Sequence, residues 1–326
     1  MTFEASLDLL GMLNRYSQYG WSKQAICQKW GISLTTFYRL KERRFVSEPN
    51  RKNLNSINDD EKETVRDYAL SHTELNHREM AYRMLDENIA FMSPSSVYRI
   101  LREFNLIGIR SKRQVLNKWH AHDAVSKADE LWQTDLMVIT FRRQDYYLLS
   151  YLDVYSRFSV FLKLCSLMTG DTIRLATDEA ILTTGIKPGG IQSDNGSCYI
   201  SAEYRSLMHD RKINHCFIHP HCPNENAEIE RFHRTVRELI DIHEAETVSE
   251  LEELIKERIY YYNYIRYHSR IGFIPPYEKY RGNPDRIFEE RKKKLEKAKA
   301  NRITINARKK IEEAISEPLI NVPVLK

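Results

Sequence analysis

The stretch Ile191-Gln192-Ser193-Asp194-Asn195-Gly196 decides how this chain is read. Its first residues have the apolar character of a short buried strand, and Asp194-Asn195-Gly196 has the composition of a turn that ends it. A carboxylate placed where a strand stops is held rigidly yet reaches solvent, which suits a catalytic or metal-binding group. Asp-Asn-Gly is also an ordinary turn, so the rest of the chain must decide between the two. Two further acidic residues stand in suitable places. Asp135 lies inside the apolar run 131–141, and Glu230 lies on an expected helix, with 35 residues between it and Asp194.

Length and composition narrow the class. A chain of 326 residues can bury a sizeable core and divide into one to three domains. Its 42% hydrophobic and 29% charged residues fit a folded protein and exclude a disordered one. No apolar run approaches the roughly 18 residues that span a bilayer, so no membrane association is expected. The start, Met1-Thr2-Phe3-Glu4, has the features of no signal peptide. Five scattered cysteines (27, 165, 198, 216 and 222) suit a reducing compartment better than a disulfide framework. The net charge is only +5, but basic residues clump at 41–44, 110–113 and 291–299, which raises a polyanion as partner.

From the N-terminus the periodicity is helical. Residues 5–18 carry an apolar stripe. Ser22 is placed to cap a helix ending at Gly31, and Ser33 to cap another running to Arg44. This is the helix-turn-helix pattern. Its last helix turns Thr35, Thr36, Arg39 and Arg43 outward, where a DNA-reading helix needs polar and basic groups. A small helical bundle without a ligand is the plainer alternative. After a polar linker over 45–57, a second helical unit begins with a capping box, Asn58 with Glu61. A middle helix follows over 77–87, and Ser93-Pro94 opens the third. On that helix Val97, Ile100, Leu101 and Phe104 form the inner face, leaving Ser95, Arg99 and Arg102 outside as DNA-contact candidates.

Beyond a basic connector the pattern changes to strands. Segments 131–141, 146–153 and 159–164 read as an antiparallel meander. Helix 171–183, the strand at Ile191, helix 202–210, strand 214–218, helix 224–242 and helix 249–264 follow, a mixed α/β layer fold. Residues 286–300 form a charged helix with few apolar positions, read as solvated or partner-seeking. The divisions are therefore 1–48 and 56–108 for two helical DNA-binding domains, 109–128 for the connector, 129–282 for the core and 283–326 for a basic helical extension.

Asp135 is anomalous on physical grounds, because a central apolar strand should not hold a charge without a partner. Two more carboxylates and a hard cation such as Mg²⁺ resolve the conflict. A pair of such ions about 4 Å apart can activate a water or sugar hydroxyl and steady the leaving oxygen of a phosphodiester. The helix with Glu230 presents Ile229, Phe232, Val236, Leu239 and Ile240 on a packing arc. Asn226, Glu230, His233 and Arg237 fall on the neighbouring arc, with Arg234 at its margin. Arg234 and Arg237 are thus candidates for phosphate contact; the alternative for Glu230 is a surface residue paired with Arg234.

Three motifs now carry a resemblance: Trp132-Gln133-Thr134-Asp135, Gln192 to Gly196, and Asn226-Ala227-Glu228-Ile229-Glu230-Arg231-Phe232-His233-Arg234-Thr235. Together with Asp153-Val154-Tyr155-Ser156-Arg157, and with Tyr262-Asn263 through His268 to Pro275-Pro276, they resemble DDE transposases with a retroviral-integrase-type core. Bacterial insertion-sequence members with preceding helix-turn-helix units are the best match, and the likeness spans roughly 20–282. Ala227 stands where the family often has Gly.

The resemblance implies a ribonuclease H-like mixed-sheet core preceded by two all-α helix-turn-helix domains. It further implies metal-dependent cutting and joining of double-stranded DNA at element ends and at a target, by a homo-oligomer assembled on that DNA in the bacterial cytoplasm. Asp135, Asp194 and Glu230 are then catalytic and metal-binding, with Mg²⁺ or Mn²⁺ expected as two ions. The rivals are a DNA-binding regulator that has lost the chemistry and a nuclease that only hydrolyses. His215, Cys216, His219, His221 and Cys222 lack the paired spacing of a closed zinc site, so no zinc is expected.

Overall fold

The computed structural model describes residues 16, 19–31, 33–35, 38, 54–107, 125–219 and 223–316. These fall into two units divided between Leu54 and Asn55. Apart from residue 16 and residues 125–128, the expectations for helix 5–18 and for the connector lie outside the described residues, as do those for Thr36, Arg39 and Arg43.

In the first unit α1 spans Lys23–Trp30, started by the Ser22 hydroxyl, which accepts from the Ala25 N–H at 3.2 Å. It stops at Gly31, whose φ of 60° is the left-handed geometry that glycine adopts without a Cβ penalty. Thr35, exposed and helical, follows in the second helix of the pair.

The second unit opens with α2 (Asp59–Ser71), α3 (His77–Asp86) and α4 (Pro94–Glu103). The capping box is present: Glu61 accepts from the Asn58 N–H at 3.1 Å. Ser93 caps α4 with Pro94 in its first turn. Val65, Met80, Met84, Val97, Ile100 and Leu101 make a separate small core.

Next come β1 (Leu131–Phe141), β2 (Gln144–Asp153), β3 (Ser159–Cys165), α5 (Gly170–Thr184), β4 (Gly190–Ser193), α6 (Ser197–Ile200), α7 (Ala202–Asp210) and β5 (Asn214–Phe217). The chain continues with α8 (Ala227–Leu239), α9 (Val248–Tyr264), α10 (Pro276–Tyr280) and α11 (Pro284–Ser316). The sheet order is β3-β2-β1-β4-β5. The first three strands are antiparallel, and β4 and β5 run parallel to β1. This mixed five-stranded sheet between helical layers is the ribonuclease H-like arrangement.

Strand parity sorts the side chains between the two layers. Trp132, Leu149, Tyr151 and Ile191 meet Ile173, Ala176 and Tyr204 on one face. Met137, Ile139, Leu148 and Leu152 meet Ile229, Phe232, Val236, Ile255 and Tyr262 on the other. Asp135 is two residues from Met137, so it faces the α8 side. No helix among the described residues is long and apolar enough to cross a membrane.

The charged C-terminal helix is not simply solvated. Arg291 is 4% exposed and donates to both Asp86 oxygens, at 2.8 and 2.6 Å, and to the carbonyls of Gly272 and Phe273. Its guanidinium also lies 4.7 Å from the Tyr82 ring centre. Eleven residues on, Arg302 holds Glu61 and the Phe91 carbonyl. Ion pairs with α2 and α3 anchor this otherwise largely exposed helix at two points where an apolar stripe is lacking.

Removing one partner of such a pair leaves an uncompensated, largely buried charge. Arg291→Ala should therefore lower unfolding free energy by about 3 kcal/mol in urea titration of the full chain. Arg291→Lys should recover little, because an ammonium cannot reproduce the two-pronged contact. Equal midpoints for Arg291→Ala and the wild type would refute this role.

Candidate active site

Asp135 and Asp194 are brought to one level by register. Gln133 pairs with Gln192 across the parallel β1–β4 ladder, and two residues further along each chain stand the two aspartates. Asp135 Oδ1 accepts from the Leu136 N–H at 2.8 Å. Asp194 Oδ1 accepts from the Gly196 N–H at 2.9 Å, forming the turn. A Cβ on Gly196 would sit 2.9 Å from that same oxygen, so glycine permits the carboxylate its position. The Asn195 amide donates to the Ile218 carbonyl at 3.0 Å, tying the turn to the end of β5.

Glu230 is positioned from the start of its helix. Gln133 is fully buried, and its amide nitrogen donates to the Gln192 side chain at 3.0 Å and to the Glu225 carbonyl at 2.7 Å. Its amide oxygen accepts from the Ile229 N–H at 3.1 Å. One side chain thus joins β1, β4 and the first turn of α8, satisfying a helix N–H that has no partner within the helix. Ile229, Phe232 and Val236 then lock α8 onto the sheet, and Glu230 projects as an exposed side chain.

His233 differs from the sequence expectation. It is 3% exposed, not on the open face, because it follows the core residue Ile229 by four positions. Its Nε2 lies 3.1 Å from the Ser150 hydroxyl, and its Nδ1 lies 3.4 Å from Asp135 Oδ2. Ser150 is the direct β2 neighbour of Asp135, so His233 and Ser150 brace that carboxylate from behind. Asn226, expected beside His233, is likewise buried.

The electrostatics connect the three acids. Partial desolvation raises the Glu230 carboxyl, the negative charge of Asp135 raises it further, and Arg234 and His233 pull it back. The Cys198 thiol is raised by burial, then by Asp194, and less by Asp135. Asp135 thus acts on Glu230, and Asp135 and Asp194 both act on Cys198. Among the described residues no three His, Cys, Asp or Glu side chains converge closely enough to hold one ion. The donor chemistry nevertheless fits a hard cation: oxygen donors only, with like charges that a cation relieves.

The remaining candidates are spread out. Arg234 and Arg237 are exposed on α8, and Arg234 lies close enough to act on Glu230. Ser95, Arg99 and Arg102 are exposed on α4. His215 meets the Ser193 hydroxyl at 2.9 Å, and burial with Arg205 lowers its imidazole to about 4. His219 binds Glu225, with Nδ1 2.9 Å from the carboxylate. Sequence reasoning passed over Gln133, Ser150 and Gln192, whose signal was a polar residue in an otherwise apolar strand.

Two family models, each described as integrase core domain, match residues 125–223 and 211–276. The chain is 27% identical over 211 residues to the "Insertion element IS476 uncharacterized 39.2 kDa protein" of Xanthomonas euvesicatoria, covering 61% of this chain and 60% of that one. It is 31% identical over 157 residues to the "Transposase for insertion sequence element IS904" of Lactococcus lactis subsp. lactis (strain IL1403), covering 47% and 62%. The chain thus spans about three fifths of the length of these curated relatives. Among solved structures, the HTLV-2 integrase catalytic core domain in complex with magnesium (dimeric form) is similar at a TM-score of 0.40 and 18% identity. That alignment covers 47% of this chain and 97% of the other.

The Gln133 bridge makes a direct prediction. Gln133→Leu keeps the volume but strands the Ile229 N–H and the Glu225 carbonyl, each worth about 1–3 kcal/mol when buried and unpaired. The variant should lose about 2–4 kcal/mol in denaturant unfolding, with faster amide exchange in the first turn of α8. Unaltered exchange there would mean that the helix start is held by other contacts.

Proposed function

We propose that this chain, which carries an integrase core domain across residues 125–276, is a DDE transposase of an insertion sequence. On this reading it cleaves double-stranded DNA at element ends and joins those ends to target DNA. The observation that carries the reading is the level placement of Asp135 on β1 and Asp194 just past the end of the adjacent parallel β4, with Glu230 in the field of Asp135. The named relatives support it, one being an insertion-element protein and the other a transposase.

Asp135, Asp194 and Glu230 would hold Mg²⁺ or Mn²⁺, as two ions. When bound, such ions activate the attacking oxygen and stabilise the departing 3′ oxygen of a phosphodiester. The protein's own part is placement. Gln133 sets the start of α8, and His233 with Ser150 braces Asp135. Gly196 leaves room for the Asp194 carboxylate. Arg234 offsets the negative charge around Glu230, and we assign Arg237 to a DNA phosphate near the reacting bond.

Sequence reading is assigned to the helical units. Thr35, Thr36, Arg39 and Arg43 serve the first, and Ser95, Arg99 and Arg102 serve the second. We retain the division into helical units at 1–48 and 56–108, connector, core and C-terminal extension, and assembly of several copies on DNA.

Asp135→Asn, Asp194→Asn and Glu230→Gln should each reduce cleavage and strand transfer by at least about a thousandfold, the equivalent of several kcal/mol of lost charge stabilisation. Binding to end DNA should stay near wild type in gel shift. Substantial joining by any folded single variant would remove that residue from the triad. A wild-type chain that binds ends but never joins them would point instead to a regulator.

A further inference from the structure

The second helical unit is seated on the sheet domain largely by polar contacts, and most of them converge on α11. At about 100° per residue, Arg291 and Arg302 fall within about 20° of each other around that helix. Lys294, Leu295, Ala298 and Asn306 flank the same line and are half-buried. The polar members each hold part of the helical unit. Arg291 forks onto Asp86 at the end of α3, and Lys294 donates to the Leu85 carbonyl at 2.9 Å. Arg302 forks onto Glu61 in the first turn of α2, and Asn306 donates to the Ser56 carbonyl at 2.9 Å. From Arg291 to Asn306, α11 therefore runs along the unit for about 22 Å.

Asp86 is also reached from the core. The Tyr267 hydroxyl donates to its Oδ2 at 2.7 Å. The Tyr82 ring stacks on Phe273 with centres 5.1 Å apart, and the Arg83 guanidinium lies 4.8 Å from the Tyr267 ring centre. Tyr267 and Phe273 stand on the turn that follows α9, and its backbone is shaped to this fit. At Phe273 φ is +55°, a left-handed value unfavourable for a residue with a Cβ, and its carbonyl accepts from Arg291 at 2.7 Å. At the neighbouring Gly272 a Cβ would meet the Phe288 ring of α11 at 2.7 Å. Behind the turn, α9 is fixed to the sheet. The Asn263 amide exchanges two hydrogen bonds with the Ser159 backbone, and the Tyr262 ring packs on Phe232 with centres 5.0 Å apart. Phe232 is two residues from Glu230 on α8, so a series of directional contacts leads from the second helical unit to the helix of Glu230.

The nature of these contacts decides what they can do. The helical unit has its own small apolar core, so the joint is not what gathers α2, α3 and α4 together. An apolar contact tolerates sliding, whereas a two-pronged arginine–carboxylate pair fixes distance and angle together. Two such forks, Arg291 on Asp86 and Arg302 on Glu61, hold the unit at two points and remove its freedom to swing. They thereby carry α4, with its exposed Ser95, Arg99 and Arg102, at a set place relative to the carboxylates.

We propose that Asp86, Arg291 and Arg302 are positioning residues that set the distance along the DNA between the sequence read by α4 and the phosphodiester cut at the carboxylates. They touch neither the bases nor the reacting atoms, and act by keeping the reading unit in one place on the core. This inference rests on the DNA-transposase reading given above, and adds that the fold of the chain itself measures where the cut falls.

The test uses the full-length chain on a duplex carrying the element end, with Mg²⁺, and maps the cut phosphodiester at single-nucleotide resolution. One variant combines Asp86→Asn, Arg291→Met and Arg302→Met, which removes both forks without stranding the Asp86 charge. A second, Asp86→Asn alone, weakens only the first fork and decides the matter if the triple variant does not fold. Thermal unfolding checks folding, and amide exchange around Phe273 reports whether the joint has opened. The wild type should cut at one dominant position. In the variants the ratio of cuts there to cuts at neighbouring phosphodiesters should fall at least about tenfold, since a misplacement of about 1 Å can change a rate by about a hundredfold. End binding in gel shift should stay near wild type, because the reading face is untouched.

A slower reaction that still cuts at one position gives the forks a purely structural role and overturns the proposal. Unchanged exchange around Phe273 in the folded triple variant means that the forks do not hold the joint, and overturns it as well. Wild-type cuts spread over many positions contradict it while leaving the transposase reading intact. Failure of the wild type to cut end DNA at all overturns both.

Discussion

A buried side-chain amide, that of Gln133, is what the candidate site depends on. Its nitrogen reaches the Gln192 side chain and the Glu225 carbonyl, and its oxygen receives the Ile229 N–H. A polar group with no exposure is costly unless satisfied, and here satisfaction requires β1, β4 and α8 to meet in one arrangement. That requirement couples the strand of Asp135, the strand leading to Asp194 and the helix of Glu230. An apolar residue could fill the space but could not specify the relation among the three. Glu225 extends the coupling outward, because its carboxylate binds His219 beyond the end of β5.

Behind the acids, the interior is built to direct charge rather than to cancel it. His233 and Ser150 support Asp135 from the core side, while its other oxygen takes a backbone N–H. Asp194 is held by its own turn. Glu230 keeps a raised carboxyl through partial desolvation and the nearby Asp135. Acids so arranged repel one another without an inserted cation, and the cost of that repulsion is met by the packing of α8 on the sheet. Stability and chemistry thus oppose each other at this point, as expected where function sets the residue types.

Much of this was legible in the sequence, and the limits have physical causes. Caps are local, so Ser22, the Asn58–Glu61 box and Ser93-Pro94 could be read from spacing and were found in those roles. The meander and helix 202–210 follow from short-range periodicity in the same way. Long-range partners leave no such trace. Arg291 and Asp86 are 205 positions apart, and Arg302 and Glu61 are 241 apart. A helix held by ion pairs therefore looked like a solvated one. His233 was misplaced because helical phase alone set it near Glu230; its position four residues after Ile229 decided the matter once packing was known. The insertion of β4 beside β1 was also invisible to periodicity, and it is that crossover which brings Asp194 level with Asp135.

The central claim is that Asp135, Asp194 and Glu230 act together on a divalent cation. The most direct measurement is Mn²⁺ binding by calorimetry to the full chain in complex with duplex DNA, for the wild type and for each carboxylate-to-amide variant. Outer-shell changes alone weaken metal affinity by about 10–100-fold, so loss of a direct ligand should weaken it at least that much in all three variants. Wild-type Mn²⁺ affinity in any of the three, with the protein folded and DNA-bound, would contradict the account.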